Sequence, residues 1–246
     1  SPTGFAQVSE PVTKLLYDKF DYLSTQFGIE SIIDLNQWSL KGKKKQVLRT
    51  SLNQATKRGI FVAENYNEDR LNQFSKEWMK TRKLNSREIR FLIRPMDMGY
   101  QEGTRKFFAY QEDKLIGFIF FDPVYSNGHI ISYVPNISRF DRSFKQGIFY
   151  TIMISAMDIF KEEGIKQIHL GLSPFSVSDF NSHYETSLPK KMVRFLYQYG
   201  NRIYSFKGMH FTKSRFRGTE YRTFCAHKGT LPFREIMTLF KVSNFF

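Results

Sequence analysis

Two stretches of this chain gather cations where a transferred group or its phosphate could be held. In "SFKGMHFTKSRF", residues 205–216, Lys207, His210, Lys213 and Arg215 stand among three phenylalanines, with no acid in the stretch. Cations without neighbouring carboxylates predict an anion supplied from outside. Lys and Arg side chains can converge on one phosphate as charge-assisted donors. In "SLKGKKKQVLRTSLNQATKRG", residues 39–59, Lys41, Lys43, Lys44 and Lys45 crowd one end, and Arg49, Asn53 and Lys57 follow at intervals of four. That spacing puts the last three on one face of a helix over 43–58, stopped by Gly59, with Val47, Leu48, Ser51, Leu52 and Ala55 as its buried stripe. Lysines at a helix N-terminus oppose its dipole, and a phosphate bound there would resolve the conflict. A solvated basic end is the other reading.

The candidates for a proton acceptor are His210, His169 and Asp141, since histidine titrates near neutral pH. A lone histidine is more often a surface or core residue. Tyr150 could hydrogen-bond a donor substrate or simply pack in an apolar helix. Ser173, in "LGLSPF", lacks the flanking glycines of a nucleophile elbow and reads as a strand-end turn. Cys225 and His227 fall on one face of a strand, so a thiol with its base is geometrically allowed. A plain buried cysteine is the simpler reading. No histidine or acid spacing makes a metal site.

Composition frames these groups. The chain has 37 Lys and Arg against 23 Asp and Glu, a net charge of +14, a field that draws nucleic acid or an anionic membrane surface. Its single cysteine excludes an internal disulfide and a multi-cysteine zinc site. The 26 Phe and 13 Tyr supply a large core, with rings to spare for a binding surface. No run approaches the roughly 18 apolar residues of a spanning helix, and no signal peptide is visible. The chain begins at Ser1 rather than Met and is expected to be the soluble part of a larger protein.

The elements that must position the cations follow from periodicity. A helix is predicted over 14–28, with Leu15, Leu16, Phe20, Leu23 and Phe27 near one face and Gly28 as its stop, then a strand over 29–35. Strand 60–66 and amphipathic helix 67–83, carrying Leu71, Phe74 and Trp78, come after the basic helix. Strands 104–111, 114–125 and 128–135, joined by "EDK" and "SNG", predict an antiparallel meander. A long helix within 142–164, then a strand over 165–172, predict a crossover. A helix over 189–200, strands over 201–208 and 221–228, and a short helix and tail over 232–246 close the chain. This is an α/β (α+β) pattern: a mixed sheet with an antiparallel meander flanked by helices, in the order of the GNAT acyltransferase fold.

Four motifs in order, "SLKGKKKQVLRTSLNQATKRG", "ISRF", "LGLSPFS" and "YSFKGMHFTKSRF", resemble the soluble C-terminal domain of the lysylphosphatidylglycerol synthases, also called multiple peptide resistance factors. The resemblance runs over about residues 15–235. It implies tandem GNAT-like units: residues 1–62 as the end of a truncated first unit, including the basic helix, and 63–246 as the catalytic unit. It implies transfer of an aminoacyl group from charged tRNA to a hydroxyl of an anionic phospholipid such as phosphatidylglycerol. The expected setting is cytoplasmic, peripheral to the inner membrane, with tRNA and the lipid surface as partners. No cofactor is implied beyond aminoacyl-tRNA as co-substrate. Acyl-CoA is the weaker donor, because "RSFKQGIF" offers only Gly147 to free amides for a pyrophosphate.

Positions matching the family pattern are Gly42, Arg49, Asn53, Arg139, Gly171, Pro174, Phe206, Lys207, Gly208, Lys213 and Phe216. Asn136 and Tyr150 stand where the synthases usually carry acids, which makes a neutral aminoacyl group, or another acyl donor, more plausible than lysine. Ester exchange from an activated donor demands positioning and oxyanion stabilisation above all. On that basis Lys207, Lys213 and Arg215, on a strand and the turn after it, are expected at the lipid phosphate, and Arg139 at the donor or the oxyanion. Arg49, Asn53 and the lysines at 41–45 are expected at the tRNA backbone or the lipid. Two alternatives stay open: a GNAT-type acyltransferase using acyl-CoA or acyl carrier protein, and a non-catalytic basic module.

Overall fold

The computed structural model describes residues 4–64, 101–141, 144, 147–176 and 206–229, with isolated positions elsewhere. The predicted helices over 67–83 and 189–200 and the closing segment 232–246 lie outside the described residues, apart from such isolated positions.

One sheet organises the chain. Its strands are β1 (Phe5–Ser9), β2 (Leu23–Asp34), β3 (Ile60–Ala63), β4 (Arg105–Gln111), β5 (Lys114–Ser126), β6 (His129–Phe140), β7 (Gln167–Pro174) and β8 (Thr219–His227). They lie side by side in the order β1-β8-β2-β7-β6-β5-β4-β3. Among these described strands only β6 and β7 run parallel; the other neighbours are antiparallel. The predicted meander is β4–β5–β6, turned at Glu112 and at Asn127–Gly128, whose positive φ values of 49° and 78° suit a tight hairpin. The expected crossover is α3 (Ile148–Glu162), between β6 and β7. Strands from both sides of the expected boundary near residue 62 share the sheet.

Helix α2 (Gln46–Lys57) follows a single 3-10 turn at Lys43–Lys45, so all four lysines at 41, 43, 44 and 45 precede the α-helix proper. Leu48, Ser51 and Ala55 are buried as predicted, and Leu52 packs against the core from a half-buried position, whereas Val47 is 39% accessible. Helices α2 and α3 pack together over the sheet face that carries Phe107, Ile119, Phe121, Ile168 and Leu170. The opposite face carries a second cluster: Phe108, Leu115, Phe118, Phe120 and Ile137.

Two predictions are corrected. The helix expected over 14–28 is α1 (Glu10–Phe20) followed directly by β2. It starts at Ser9 with Pro11 in its first turn. It closes at Asp21 in the left-handed region, where the amides of Asp21 and Tyr22 bond the carbonyls of Tyr17 and Leu16. Leu23 and Phe27 are therefore strand residues. Gly28 stops nothing: a Cβ there would come within 2.6 Å of the Ser173 carbonyl, so glycine permits the close approach of β7. The second correction concerns the cationic segment, read as a strand into a turn. It forms α4 (Phe206–Ser214), with the Thr212 hydroxyl donating to the Gly208 carbonyl one turn back at 2.8 Å. Buried Phe216, just beyond it, anchors the helix end among aromatic rings.

Candidate active site

The parallel pair β6–β7 is joined at only two positions, Ser132–Gln167 and Tyr133–Ile168. Both strands then bulge. On β7 the register to β2 slips between the pairs Ile32–His169 and Glu30–Leu172, with Gly171 at φ +73° inside the slip. On β6 the register to β5 slips between Phe120–Ile137 and Phe121–Pro135, leaving Asn136 as the extra residue. Facing bulges end the ladder and open a fork.

Lys213 reaches into this fork from α4. Its Nζ donates to the Leu172 carbonyl at 2.8 Å. A Cβ on Gly171 would lie 3.4 Å from Val134 Cγ2, 3.5 Å from Lys213 Nζ and 3.9 Å from the Pro135 carbonyl. The ammonium thus takes the place of a ladder partner that the parting strands cannot supply. Desolvation lowers its pKa to about 7, against the opposing pull of the Glu30 carboxylate.

Beside the fork, Tyr150 on α3 is 8% accessible. Burial raises its phenol pKa, opposed by a hydrogen bond with Thr212 and by the charge of Arg215. The Arg215 guanidinium lies 3.9 Å from the ring centre of Phe211, itself 56% accessible. Its buried Nε has no hydrogen-bond acceptor among the described residues. An orphaned charged donor in a buried position is costly unless a partner arrives.

The basic motif is tied to the same helix end through one side chain. Trp38 Nε1 donates to the Phe216 carbonyl at 2.7 Å, and the two rings stack at 6.3 Å. Lys45 lies 4.4 Å over the Trp38 ring and bonds the Ser39 carbonyl at 2.7 Å, and burial lowers its pKa. Arg49 Nη1 bonds the carbonyls of Leu40 and Gly42 at 2.5 and 2.7 Å, closing the loop ahead of α2. Lys41, Lys43, Lys44, Asn53 and Lys57 are exposed.

The remaining candidates are dispersed. Lys207 is exposed in the first turn of α4, and six helical positions place it roughly 120° around the axis from Lys213. The helix therefore does not aim the two lysines at one point, as a strand and turn were expected to. His210 is partly buried on the same helix. Arg139 is 3% accessible, on the β6 face shared with Ile137. Asp141 pairs with Lys114 at 3.0 Å. Ser173 is 1% accessible and lies within the β2–β7 ladder opposite Ile29, not in a turn. Cys225 is buried. His227 meets Thr25 Oγ1 at 2.9 Å and the Gly229 carbonyl at 2.6 Å, so both its ring nitrogens are engaged. Two carboxylates near the fork escaped the sequence reading. Asp122 accepts from Asn136 Nδ2 at 2.7 Å, and Glu30 meets His169 Nδ1 at 2.8 Å. Strand alternation could have signalled Glu30, an acid between Ile29 and the apolar pair Ile32 and Ile33.

Fold and site together define a mixed α/β domain whose parallel β6–β7 pair parts around a partly buried lysine, the architecture expected of an acyl-transfer domain. The chain belongs to the family described as the phosphatidylglycerol lysyltransferase C-terminal domain, whose profile matches residues 2–227. It is 24% identical over 215 residues to the phosphatidylglycerol lysyltransferase of Bacillus subtilis (strain 168), covering 82% of this chain and 23% of that protein. It is 25% identical over 224 residues to that of Staphylococcus haemolyticus (strain JCSC1435), covering 86% of this chain and 25% of that protein. The chain thus spans about a quarter of the length of these relatives. The fold is shared with the C-terminal domain of a putative lysylphosphatidylglycerol synthetase from Agrobacterium fabrum, with a TM-score of 0.74, 21% identity, and coverage of 97% of this chain and 73% of that one. It is also shared with L-PGS from Bacillus licheniformis, with a TM-score of 0.70, 20% identity, and coverage of 98% and 72%.

Proposed function

We propose that this domain transfers an aminoacyl group from aminoacyl-tRNA to a hydroxyl of phosphatidylglycerol, working at the cytoplasmic face of the inner membrane. Family membership supports the reaction class. The observation that carries the reading to particular residues is the pair of under-satisfied cations beside the fork. Lys213 is held in a desolvated position by one backbone carbonyl, and Arg215 presents a buried Nε without an acceptor among the described residues. A phosphodiester at Lys213 answers one of them, and Arg215, two residues on and turned to another side of the helix end, is left to meet another part of the substrate. Tyr150 borders the same region and serves the donor ester, whereas Arg139 lies on the opposite face of the sheet. The exposed lysines at 41, 43 and 44, close to α4 through Trp38, suit the tRNA backbone.

The aminoacyl group is lysyl in this reading. Asn136 stands where the family usually carries an acid, but its amide is bonded to Asp122, which keeps a carboxylate beside that position. Acyl-CoA is less suited as donor: Gly147, at the start of α3, packs against Ser51 of α2, where an added Cβ would lie 3.1 Å from the serine. The test is direct. The purified chain is incubated with radiolabelled lysyl-tRNA or alanyl-tRNA and phosphatidylglycerol vesicles, and the lipid phase is counted. Labelled lysyl lipid is expected. Labelled alanyl lipid alone would overturn the lysyl assignment, and no labelled lipid, with acyl-CoA consumed instead, would overturn the reading.

A further inference from the structure

One imidazole near the fork is built into a pair that the reading above leaves without a task. His169 sits on β7 two residues before Gly171. Its strand neighbours Ile168 and Leu170 are buried in the α2–α3 core, so alternation turns His169 to the other face of the sheet. There its Nδ1 lies 2.8 Å from Glu30 Oε1, across the β2–β7 ladder. A carboxylate can only accept, so Nδ1 carries the proton, and in the neutral ring Nε2 is the acceptor. The two side chains are 20% and 31% accessible, half-buried but open to a reactant. The Glu30 charge also acts on Lys213, which joins the pair to the fork electrostatically.

No other described group combines these properties. Both ring nitrogens of His227 are engaged by protein oxygens. His129 is exposed at the start of β6, and among the described residues no carboxylate pairs with His210. Asp141 is tied to Lys114, while Ser173 and Cys225 are buried.

We propose that His169, held in its tautomer by Glu30, is the proton acceptor of the transfer reaction; the assignment rests on the aminoacyl-transfer reading. His169 Nε2 takes the proton of the lipid hydroxyl as that oxygen attacks the aminoacyl ester carbon. The bond from that carbon to the tRNA ribose oxygen then breaks, and the imidazolium returns the proton to the departing ribose oxygen. One ester is exchanged for another, with no net change in protons or electrons. His169 is the catalytic residue in this scheme and Glu30 is the positioning residue.

The experiment measures steady-state transfer from lysyl-tRNA to phosphatidylglycerol vesicles by the whole chain and by His169→Gln, His169→Ala and Glu30→Gln. Thermal unfolding of each variant confirms that it is folded. His169→Gln is expected to lower kcat about 100-fold, with KM for the lipid within about 3-fold of wild type. Added imidazole restores part of the activity of folded His169→Ala. Glu30→Gln lowers kcat about 10-fold because the imidazole loses its orientation, and KM for the lipid shifts with it because the Glu30 charge also acts on Lys213. A folded His169→Gln with kcat close to wild type overturns the assignment while leaving the transfer reading standing. So does a folded His169→Ala whose loss imidazole does not relieve. A wild-type chain that labels no lipid overturns the transfer reading itself, and the base assignment with it.

Discussion

Under α3, Phe107, Phe121 and Phe160 meet edge to face at 5.4–5.5 Å, and Tyr133 stacks on Phe160 at 4.2 Å. Arg105 closes this cluster, bonded to Glu64 and Glu163 at 2.6 Å and lying 5.3 Å from the Phe160 ring centre. One residue beyond Tyr133 the fork begins, and there a lysine makes one bond to a carbonyl and an arginine Nε makes none among the described residues. The first region has its polar groups paired and its rings in contact. The second stores unmet electrostatic demand. Tyr133 belongs to both, as the last paired residue of β6 and the ring that rests on the core. A rigid aromatic platform is therefore what holds the under-satisfied cations in place, and stability and activity should be separable by mutation.

The largest break in that comparison comes from the platform. Phe160→Ala removes a fully buried ring and is expected to cost about 3–5 kcal/mol in urea unfolding, with KM little changed at temperatures where the variant is folded. Lys213→Met is expected to do the reverse. It should lower kcat/KM about 10²–10³-fold, the size of effect seen when a preorganised charge is removed, without lowering the melting temperature. A melting temperature that fell with the activity would make Lys213 a structural residue.

The same lysine gives a pH signature whose sign is fixed. Its folded pKa of about 7 lies below its ordinary value of 10.5. Between those values the unfolded chain holds a proton that the folded chain has released. Stability from this group therefore rises with pH across the window, and the penalty is greatest at pH 7 and below. Lys213→Met should flatten that slope in denaturant titrations at pH 6, 8 and 10; an unchanged slope would remove Lys213 as its source.

Smaller effects sharpen the outer edge of the site. Arg215→Gln is expected to raise KM for the lipid by about 10-fold, consistent with the loss of one charged hydrogen bond. Replacing Lys41, Lys43 and Lys44 together should make the salt dependence of tRNA binding shallower, by about 0.7–0.9 in logarithmic slope for each phosphate that is no longer neutralised, with kcat unaffected. Lys45 is left out because it is already committed to Ser39 and Trp38.

What the sequence made legible was regular pattern. The meander, the crossover helix and the buried stripe of Leu48, Ser51 and Ala55 followed from periods of two and of about 3.6. Two boundaries failed for local reasons. Helix α1 stops at Asp21 by adopting a left-handed cap that a non-glycine residue seldom takes, and Gly28 looked like the stop. The segment around Lys213 is helical although Gly208 lies within it, because Phe216 must reach Trp38, Phe149 and Tyr150. The site was legible as a set of cations and not as a geometry. Arg49 and Lys45, read as ligand-seeking, have side-chain bonds inside their own loop. The fork itself depends on two facing bulges, at Asn136 and Gly171, and no periodicity announces where paired strands will part. Cross-strand partners such as Glu30–His169 and Asn136–Asp122 depend on that register, so they were invisible until the sheet was in hand.

The claim most exposed to test is that the fork seats a lipid phosphate on Lys213. Phosphatidylglycerol with short, soluble chains can be titrated calorimetrically into the wild type and into Lys213→Met at pH 8, in two buffers of different ionisation enthalpy. A phosphate drawn to Lys213 restores its charge, so wild type should take up close to one proton per lipid bound, and Lys213→Met should bind more weakly with no uptake. Equal affinity for both proteins, or binding to wild type with no proton taken up, would contradict the account.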